Sequence, residues 1–415
     1  MLKRDLVPRI LFYTENYVLG GADDVLLGLV DGMAAAGWDV RLAWRVHREF
    51  PAMVARKLKH PVLTEEVEVP TSVPWIRRVD GLRLPHIIKK GLKAPFVAGR
   101  YLLLPQHRAI LRRLIRRHRP EVLHINNGGY PGGHTCWSAA RVAREEGVST
   151  VVATLHNAPE LLRPPFSALE RCLDTRFIRD VTAVATGSHE VREALIARRG
   201  FPPELVHAIP HGIDLTDGSS NDLMVRAARR AEWGLGSFDF VFGTVAHFEP
   251  RKGYAVLVES IRRKRTALEL LRARFVFVGD GPLLASIRTI LEETGLKGTV
   301  VTPGFRSDFP ELLHAFDCFV LPSVAHEDFP IVNVAAMAAG LPVVGTRLAG
   351  MQEQVMDGVT GRLVPTQDPE SLGEALVALA ADTVRAAAMG RAARVMALER
   401  WSVERMVRDY RKLFG

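Results

Sequence analysis

Short apolar runs alternate along the chain with longer stretches whose apolar positions recur at helical spacing. Runs at residues 9–14, 38–43, 121–125, 150–155, 181–186 and 206–210 each have the length and composition of a buried strand. Residues 22–36 read as a helix closed by Gly37. A second set of strands follows at 240–246, 273–278, 299–302, 317–322 and 341–345, with helices expected over 254–265 and 331–339. Strand, helix and strand in repetition predict parallel sheets. The pattern therefore predicts an α/β fold of two doubly wound parallel-sheet domains in series, joined through the turn-rich residues 215–221. The expected divisions are 1–214, 215–395 and a C-terminal helix within 396–415. In that helix Val403, Met406, Val407, Tyr410 and Leu413 share one face, which suits packing back toward the first domain. Ligands of such sheets sit beyond the carboxyl ends of the strands. A cleft between the two domains is the expected site.

Composition narrows the class. A chain of 415 residues exceeds one ordinary core. Three widely spaced cysteines, Cys136, Cys172 and Cys318, give neither a disulfide framework nor zinc spacing, which predicts a reducing compartment. No signal-peptide core and no membrane-length apolar run are visible, so a cytoplasmic protein is expected. The net charge of +9 is concentrated. Residues 76–119 hold 13 Lys/Arg against one acid, a segment charge of +12 that leaves −3 for the rest. One basic face argues against nucleic acid as a partner. Residues 106–118 place Ile110, Leu111, Leu114 and Ile115 on one helix face and four arginines on the other, as a core helix with a solvated rim would. Upstream, Trp75, Ile87, Ile88 and Phe96 are mixed with Arg77, Arg78, Lys89, Lys90 and Lys93. That mixture predicts an anionic membrane surface as a partner of segment 75–119.

The chemistry concentrates in the second half. No GxGxxG follows the first strand and no GxxxxGK[ST] occurs, so dinucleotide redox chemistry and P-loop phosphoryl transfer fit poorly. His326, Glu327 and Asp328 instead precede a helix that begins at Pro330 and is almost bare of side chains: Ala335, Ala336, Ala338 and Ala339. The free N–H groups at such a helix mouth suit a phosphate. His247, Arg251 and Lys252 follow the first strand of the second set. Arg251 and Lys252 can meet a diphosphate from one side, and the amides of Ile331 and Val332 from the other. Glu327 beside it can accept hydrogen bonds from sugar hydroxyls. Asp328 is read as a possible cap of the helix, Asp23 as a helix N-terminal charge, and His124 as structural.

On these residues the chain resembles GT-B glycosyltransferases of family 4, the retaining type. The resemblance rests on Gly20-Gly21-Ala22, on residues 209–214, on Pro250-Arg251-Lys252-Gly253, on residues 278–282 and on residues 321–345. It implies two Rossmann-like domains across a cleft, and transfer of a hexose-type sugar from a UDP- or GDP-sugar. The implied acceptor is a lipid-linked saccharide or similar molecule, in cell-surface polysaccharide synthesis. It implies that Lys252 neutralises the donor diphosphate with help from Arg251, and that Ile331 and Val332 bind phosphate oxygens. Glu327 then holds the donor sugar, Gly20 and Gly21 let the backbone approach the phosphates, and His156 lies near the reacting sugar. No metal or other cofactor and no protein nucleophile are implied; the leaving phosphate helps to deprotonate the acceptor.

Two departures from the family stand out. Its second glutamate, eight residues after the first, is replaced by Ala335. Losing a charged acceptor for the ribose hydroxyls costs about 1.5–3 kcal/mol of donor binding, roughly one to two decades in affinity. Its usual arginine before the phosphate lysine is also missing, and His247 or Ala246 stands there. A GT-B-fold scaffolding subunit with impaired catalysis is the alternative that these departures raise.

Overall fold

A computed structural model describes residues 7–15, 19–82, 84–99, 101–162, 167–214 and 223–415. The expected linker, 215–221, lies outside the described residues. The chain divides into two compact units. One comprises Met1–Thr186, Val191–Ile209 and Val407–Gly415, the other Gly187–Glu190 and Pro210–Met406.

Among the described residues the first unit carries seven strands: β1 (Arg9–Thr14), β2 (Asp39–Arg45), β3 (Leu63–Val67), β4 (Val122–Asn127), β5 (Thr150–Leu155), β6 (Ala183–Thr186) and β7 (Val206–Ala208). Their order is β3-β2-β1-β4-β5-β6-β7, with every pairing parallel. The described residues of the second unit carry six: β8 (Phe240–Val245), β9 (Ala273–Val278), β10 (Val300–Gly304), β11 (Cys318–Leu321), β12 (Val343–Thr346) and β13 (Gly361–Val364). Their order is β10-β9-β8-β11-β12-β13, again all parallel. Helices cover both faces of such sheets, so their strands are near-continuous apolar runs. Those runs are what the sequence displays. Strands β3 and β13 escape that reading. Most of β3 is exposed edge, carrying Glu65 and Glu66, and the four residues of β13, Gly361–Val364, are interrupted by Arg362 and form no apolar run.

In each sheet the chain winds outward on one side of the first strand and then returns on the other. The reversals lie between β1 and β4, and between β8 and β11. Loops leaving the carboxyl ends there diverge, and the crevice they leave is where doubly wound sheets bind ligands.

The unit boundary falls at Ile209/Pro210 rather than at 214. The reason is local: Ile213 bridges to Ser402, and the Gly212 amide points at Met406 Sδ, 3.2 Å away. Residues 396–406 likewise belong to the second unit, where Met396, Ala397 and Trp401 are core. The last helix spans Val403–Phe414. Its end completes the first unit: Phe414 packs on Phe12 and His124, and Tyr410 Oη bonds Thr154 Oγ1 at 2.8 Å. Phe414 is buried, where the sequence pattern ends the apolar face at Leu413.

Candidate active site

In the second unit, β8 and β11 end side by side, and the loops that follow them meet. The loop after β8 turns through a short helical stretch, Pro250–Lys252, and leaves at Gly253 with φ +73°. A Cβ there would stand 1.9 Å from Pro322 O, so only glycine lets this loop pass under the end of β11. The Val324 amide then donates to Arg251 O at 2.8 Å, and Thr346 Oγ1 to Ser323 O at 2.6 Å. These bonds fix the loops after β8, β11 and β12 as one platform.

Glu327 is its centre. The residue is 4 % exposed, and its Oε1 accepts three donors: Lys252 Nζ at 2.5 Å, Ser323 Oγ at 2.8 Å and Arg251 Nη1 at 3.2 Å. Oε2 has no hydrogen-bond partner among the described residues, which leaves one carboxylate oxygen to accept from a ligand. Burial works against the charge, but Lys252 and Arg251 outweigh it and hold the carboxyl below its ordinary range. Arg251 also bonds Glu249 Oε2 at 2.9 Å and His326 O at 3.4 Å. His326 itself is left-handed, at φ +54°. That conformation costs a non-glycine residue about 1–3 kcal/mol and is typical of functional loops.

The helix Ile331–Ala338 opens beside this platform, with Pro330 as its extended N-cap and no side-chain cap. The amides of Ile331 and Val332 have no partner among the described residues. Ala335 lies four residues after Ile331, hence on the same helix face, and is partly exposed. Asp328 does not cap this helix, contrary to the sequence reading. Its carboxylate turns away, accepts from Gly187 N and Ser188 Oγ at 2.6 Å each, and lies 3.8 Å from His211 Nε2. Burial pushes this carboxyl up to about 7.

Thus Arg251, Lys252, Glu327, Ile331 and Val332 are brought together. His247 stays on the rim of the β8 loop, 39 % exposed, with Glu249 Oε1 its nearest acid at 3.8 Å. Ser323 and Glu249 were missed by motif reading. The signal available was their place at the ends of β11 and β8.

Gly20, Gly21 and His156 lie in the first unit, after β1 and β5. Gly20 is extended, at φ −177°, and a Cβ there would meet nothing within 4 Å. No contact among the described residues demands a glycine there. Its amide is already committed, however, to Asp23 Oδ2 at 2.9 Å. Glu15, also missed, is buried at the end of β1, where it accepts from Thr135 N at 2.9 Å and from Thr135 Oγ1.

His156 is buried, with Nε2 2.7 Å from Asn126 Oδ1; His124 pairs with Thr154 Oγ1 at 2.8 Å. Burial brings both imidazoles down to about 3. That lies below the unfolded value of about 6.5, so protonation favours the unfolded chain. Their contribution to stability is complete above about pH 6.5 and is lost as the pH falls toward 3. Both rings are therefore expected to show neutral imidazole resonances by NMR at about pH 5. Titration of either ring between about pH 5 and 8 contradicts this.

Comparison with known proteins bears directly on this geometry. Residues 19–217 match the family model described as Glycosyltransferase Family 4, and residues 239–382 that described as Glycosyl transferases group 1. A GDP-mannose-dependent alpha-(1-6)-phosphatidylinositol monomannoside mannosyltransferase of Mycolicibacterium smegmatis is 31 % identical over 271 residues, covering 63 % of this chain and 68 % of the relative. The chain belongs to glycosyltransferase family 4. It is a transferase with the GT-B fold. A UDP-Gal:alpha-D-GlcNAc-diphosphoundecaprenol alpha-1,3-galactosyltransferase of Escherichia coli is 27 % identical over 281 residues, 66 % of this chain and 70 % of that one. Among solved structures, HepE of Anabaena in complex with UDP and glucose superposes with a TM-score of 0.75 at 21 % identity, covering 97 % of this family 4 chain and 98 % of its own.

Proposed function

We propose that this glycosyltransferase moves a hexose-type sugar from a UDP- or GDP-sugar to a lipid-linked saccharide or similar acceptor, with retention of anomeric configuration, in cell-surface polysaccharide synthesis. The observation that carries the reading is the Lys252–Glu327–Arg251 cluster facing the open mouth of the Ile331–Ala338 helix. Lys252 and Arg251 neutralise the donor diphosphate, and the amides of Ile331 and Val332 receive its oxygens. Glu327 Oε2 accepts from the donor sugar and opposes the positive charge that develops at the anomeric carbon. The leaving phosphate takes the acceptor proton, so neither a protein nucleophile nor a metal is needed. Gly20 and Gly21 give the phosphates a backbone surface, and His156 acts as a neutral hydrogen-bonding group. Relatives named for GDP-mannose and phosphatidylinositol monomannoside, and for UDP-Gal and alpha-D-GlcNAc-diphosphoundecaprenol, support this range of donors and acceptors. The anomeric configuration of the product, read by NMR, tests retention: inversion refutes it.

Ala335 leaves the ribose without its usual carboxylate. Ala335→Glu is expected to tighten nucleotide binding by about ten- to a hundredfold, as measured by calorimetry. An unchanged affinity means that the ribose is held elsewhere.

The proposed place of action is the cytoplasmic membrane face. No helix among the described residues is long and apolar enough to cross a membrane. Residues 75–102 present Trp75, Leu82, Leu84, Ile88, Leu92 and Leu102 to solvent, on and around the helices Val73–Asp80 and His86–Gly99. Trp75 stacks on Phe96, and Arg78 lies 4.7 Å above its ring. The side chains of Arg77, Ile87 and Lys90 lie outside the description. In the following helix, Leu104–His118, acids engage the cations: Arg112 and Arg116 bond Glu146, and Arg117 bonds Glu65. The docking face therefore narrows from 75–119 to 75–102. The protein is expected to float with phosphatidylglycerol vesicles at low salt; failure to do so removes the membrane part of the reading.

A further inference from the structure

Glu327 is gripped through one atom. Lys252, Ser323 and Arg251 all bond its Oε1. Among the described residues no backbone hydrogen bond involves Glu327 itself. That grip and the aim of Oε2 therefore both depend on how the neighbouring residues hold the Glu327 Cα. On one side His326 is left-handed, at φ +54°, a conformation that persists only where its surroundings impose it. On the other side stands Asp328, whose carboxylate no step of sugar transfer described above employs.

Asp328 is buried and fastened through both its side chain and its backbone. Oδ2 accepts from the Gly187 amide and Oδ1 from Ser188 Oγ, at 2.6 Å each. Its carbonyl accepts from the Gly350 amide at 2.7 Å. The close approach on each flank requires a glycine. A Cβ at residue 187 would stand 2.5 Å from Phe329 Cβ and 2.8 Å from Asp328 Oδ2, and one at residue 350 would stand 2.2 Å from Asp328 O. Phe329 is set edge-on between the rings of His211 and Trp401. All of these residues belong to the second unit. The helix mouth has an anchor of its own. Pro330 O accepts from Gln354 Nε2 at 3.1 Å, and Asn333 Nδ2 donates to Gln354 Oε1 at 3.1 Å. The loop is thus held at two separate places, one behind the amides of Ile331 and Val332 and one behind Glu327.

We infer that Asp328 is a positioning residue: by fastening the chain to Gly187 and Ser188 it aims Glu327 Oε2 at the donor sugar. The inference rests on the role of Glu327 proposed above. A displacement of about 1 Å at a reacting group can cost about a hundredfold in rate. Shape and hydrogen bonding matter here more than charge. The Ser188 hydroxyl can accept as well as donate, so an asparagine at residue 328 keeps both side-chain bonds, and an alanine keeps neither.

The test compares wild type, Asp328→Asn and Asp328→Ala as full-length proteins. Asp328→Ala is expected to lower kcat about a hundredfold, while its calorimetric affinity for the nucleoside diphosphate stays within a few-fold of wild type. A binding stoichiometry equal to that of wild type shows that the variant is folded. Asp328→Asn is expected to turn over within about fivefold of wild type, since both bonds survive. A second readout needs no transfer. With 13C-labelled glutamate carboxyls, and Glu327→Gln to assign the resonance, the Glu327 carboxyl of wild type and Asp328→Asn should remain ionised down to about pH 4.5. In Asp328→Ala its midpoint should rise, because a displaced carboxylate loses Lys252 and Arg251 while burial persists. Should Asp328→Ala not fold, Ser188→Ala removes only the Oδ1 donor and should lower kcat by about threefold to tenfold at unchanged nucleotide affinity. The inference is overturned if the alanine variant turns over like wild type with an unmoved Glu327 titration, if asparagine loses as much as alanine, or if turnover and nucleotide affinity fall together. A wild-type protein that transfers no sugar contradicts the proposed function instead, and the Glu327 titration then decides the role of Asp328.

Discussion

Glu327→Gln lowers turnover by about a hundredfold to a thousandfold while leaving nucleotide affinity within a few-fold of wild type. Glutamine keeps the shape and one acceptor oxygen but removes the charge. Electrostatic stabilisers aimed at a developing charge act in the transition state, and deleting one costs about 10²–10³ in kcat. The diphosphate is held by other groups, Lys252, Arg251 and the amides of Ile331 and Val332, so ground-state binding is spared. The readout is the separation of kcat from KM, measured with the donor that the protein accepts. A variant with wild-type turnover removes Glu327 from the chemistry.

Lys252→Ala has the second large effect, and it reaches both binding and folding. In the folded protein Lys252 Nζ sits 2.5 Å from Glu327 Oε1, and both groups are nearly buried. Removing one member of such a pair leaves a buried charge short of its partner and costs about 3–5 kcal/mol. Arg251 and Ser323 still bond the carboxylate, which places the expected loss at the low end. Without Lys252 the Glu327 carboxyl also loses the nearest cation holding it down, so its pKa rises. A depressed carboxyl contributes stability above its unfolded value, about pH 4.3, that is lost as the pH falls through the folded one. The variant should therefore lose less stability than wild type on acidification below about pH 4.5. Urea denaturation at two pH values checks this. Nucleoside diphosphate binding by the same variant should fall by one to two decades, as for loss of a charged hydrogen bond, about 1.5–3 kcal/mol.

What was legible in the sequence is what local chemistry encodes. Strands buried on both faces show themselves as apolar runs, and β8 and β11 were readable for that reason. Once they are placed, Lys252 and Glu327 must fall at adjacent strand ends, because the sheet reverses between them. Pairings across long stretches of chain were not legible. Nothing near Asp328 in the sequence announces that its carboxylate reaches Gly187 and Ser188, 140 residues and more away. Glu15 and Thr135 are likewise joined only by the fold. Strand β3 was hidden because an edge strand facing solvent has no apolar pattern, and its acids serve Arg117, His118 and Trp44 instead. The arginines of the Leu104–His118 helix read in the sequence as a solvated rim; that Glu65, Glu145 and Glu146 lie opposite them is visible only in the fold.

The central claim is that the Lys252–Glu327–Arg251 platform and the Ile331–Ala338 helix mouth form a working nucleotide-sugar site despite Ala335. Thermal denaturation of the wild-type protein with UDP, GDP, ADP and their common hexose conjugates tests it most directly. A clear rise in Tm with one nucleoside diphosphate, and a larger one with its sugar conjugate, is the predicted result; it also names the base. No rise with any of them at millimolar ligand would contradict the account and return weight to a GT-B protein that no longer handles a donor.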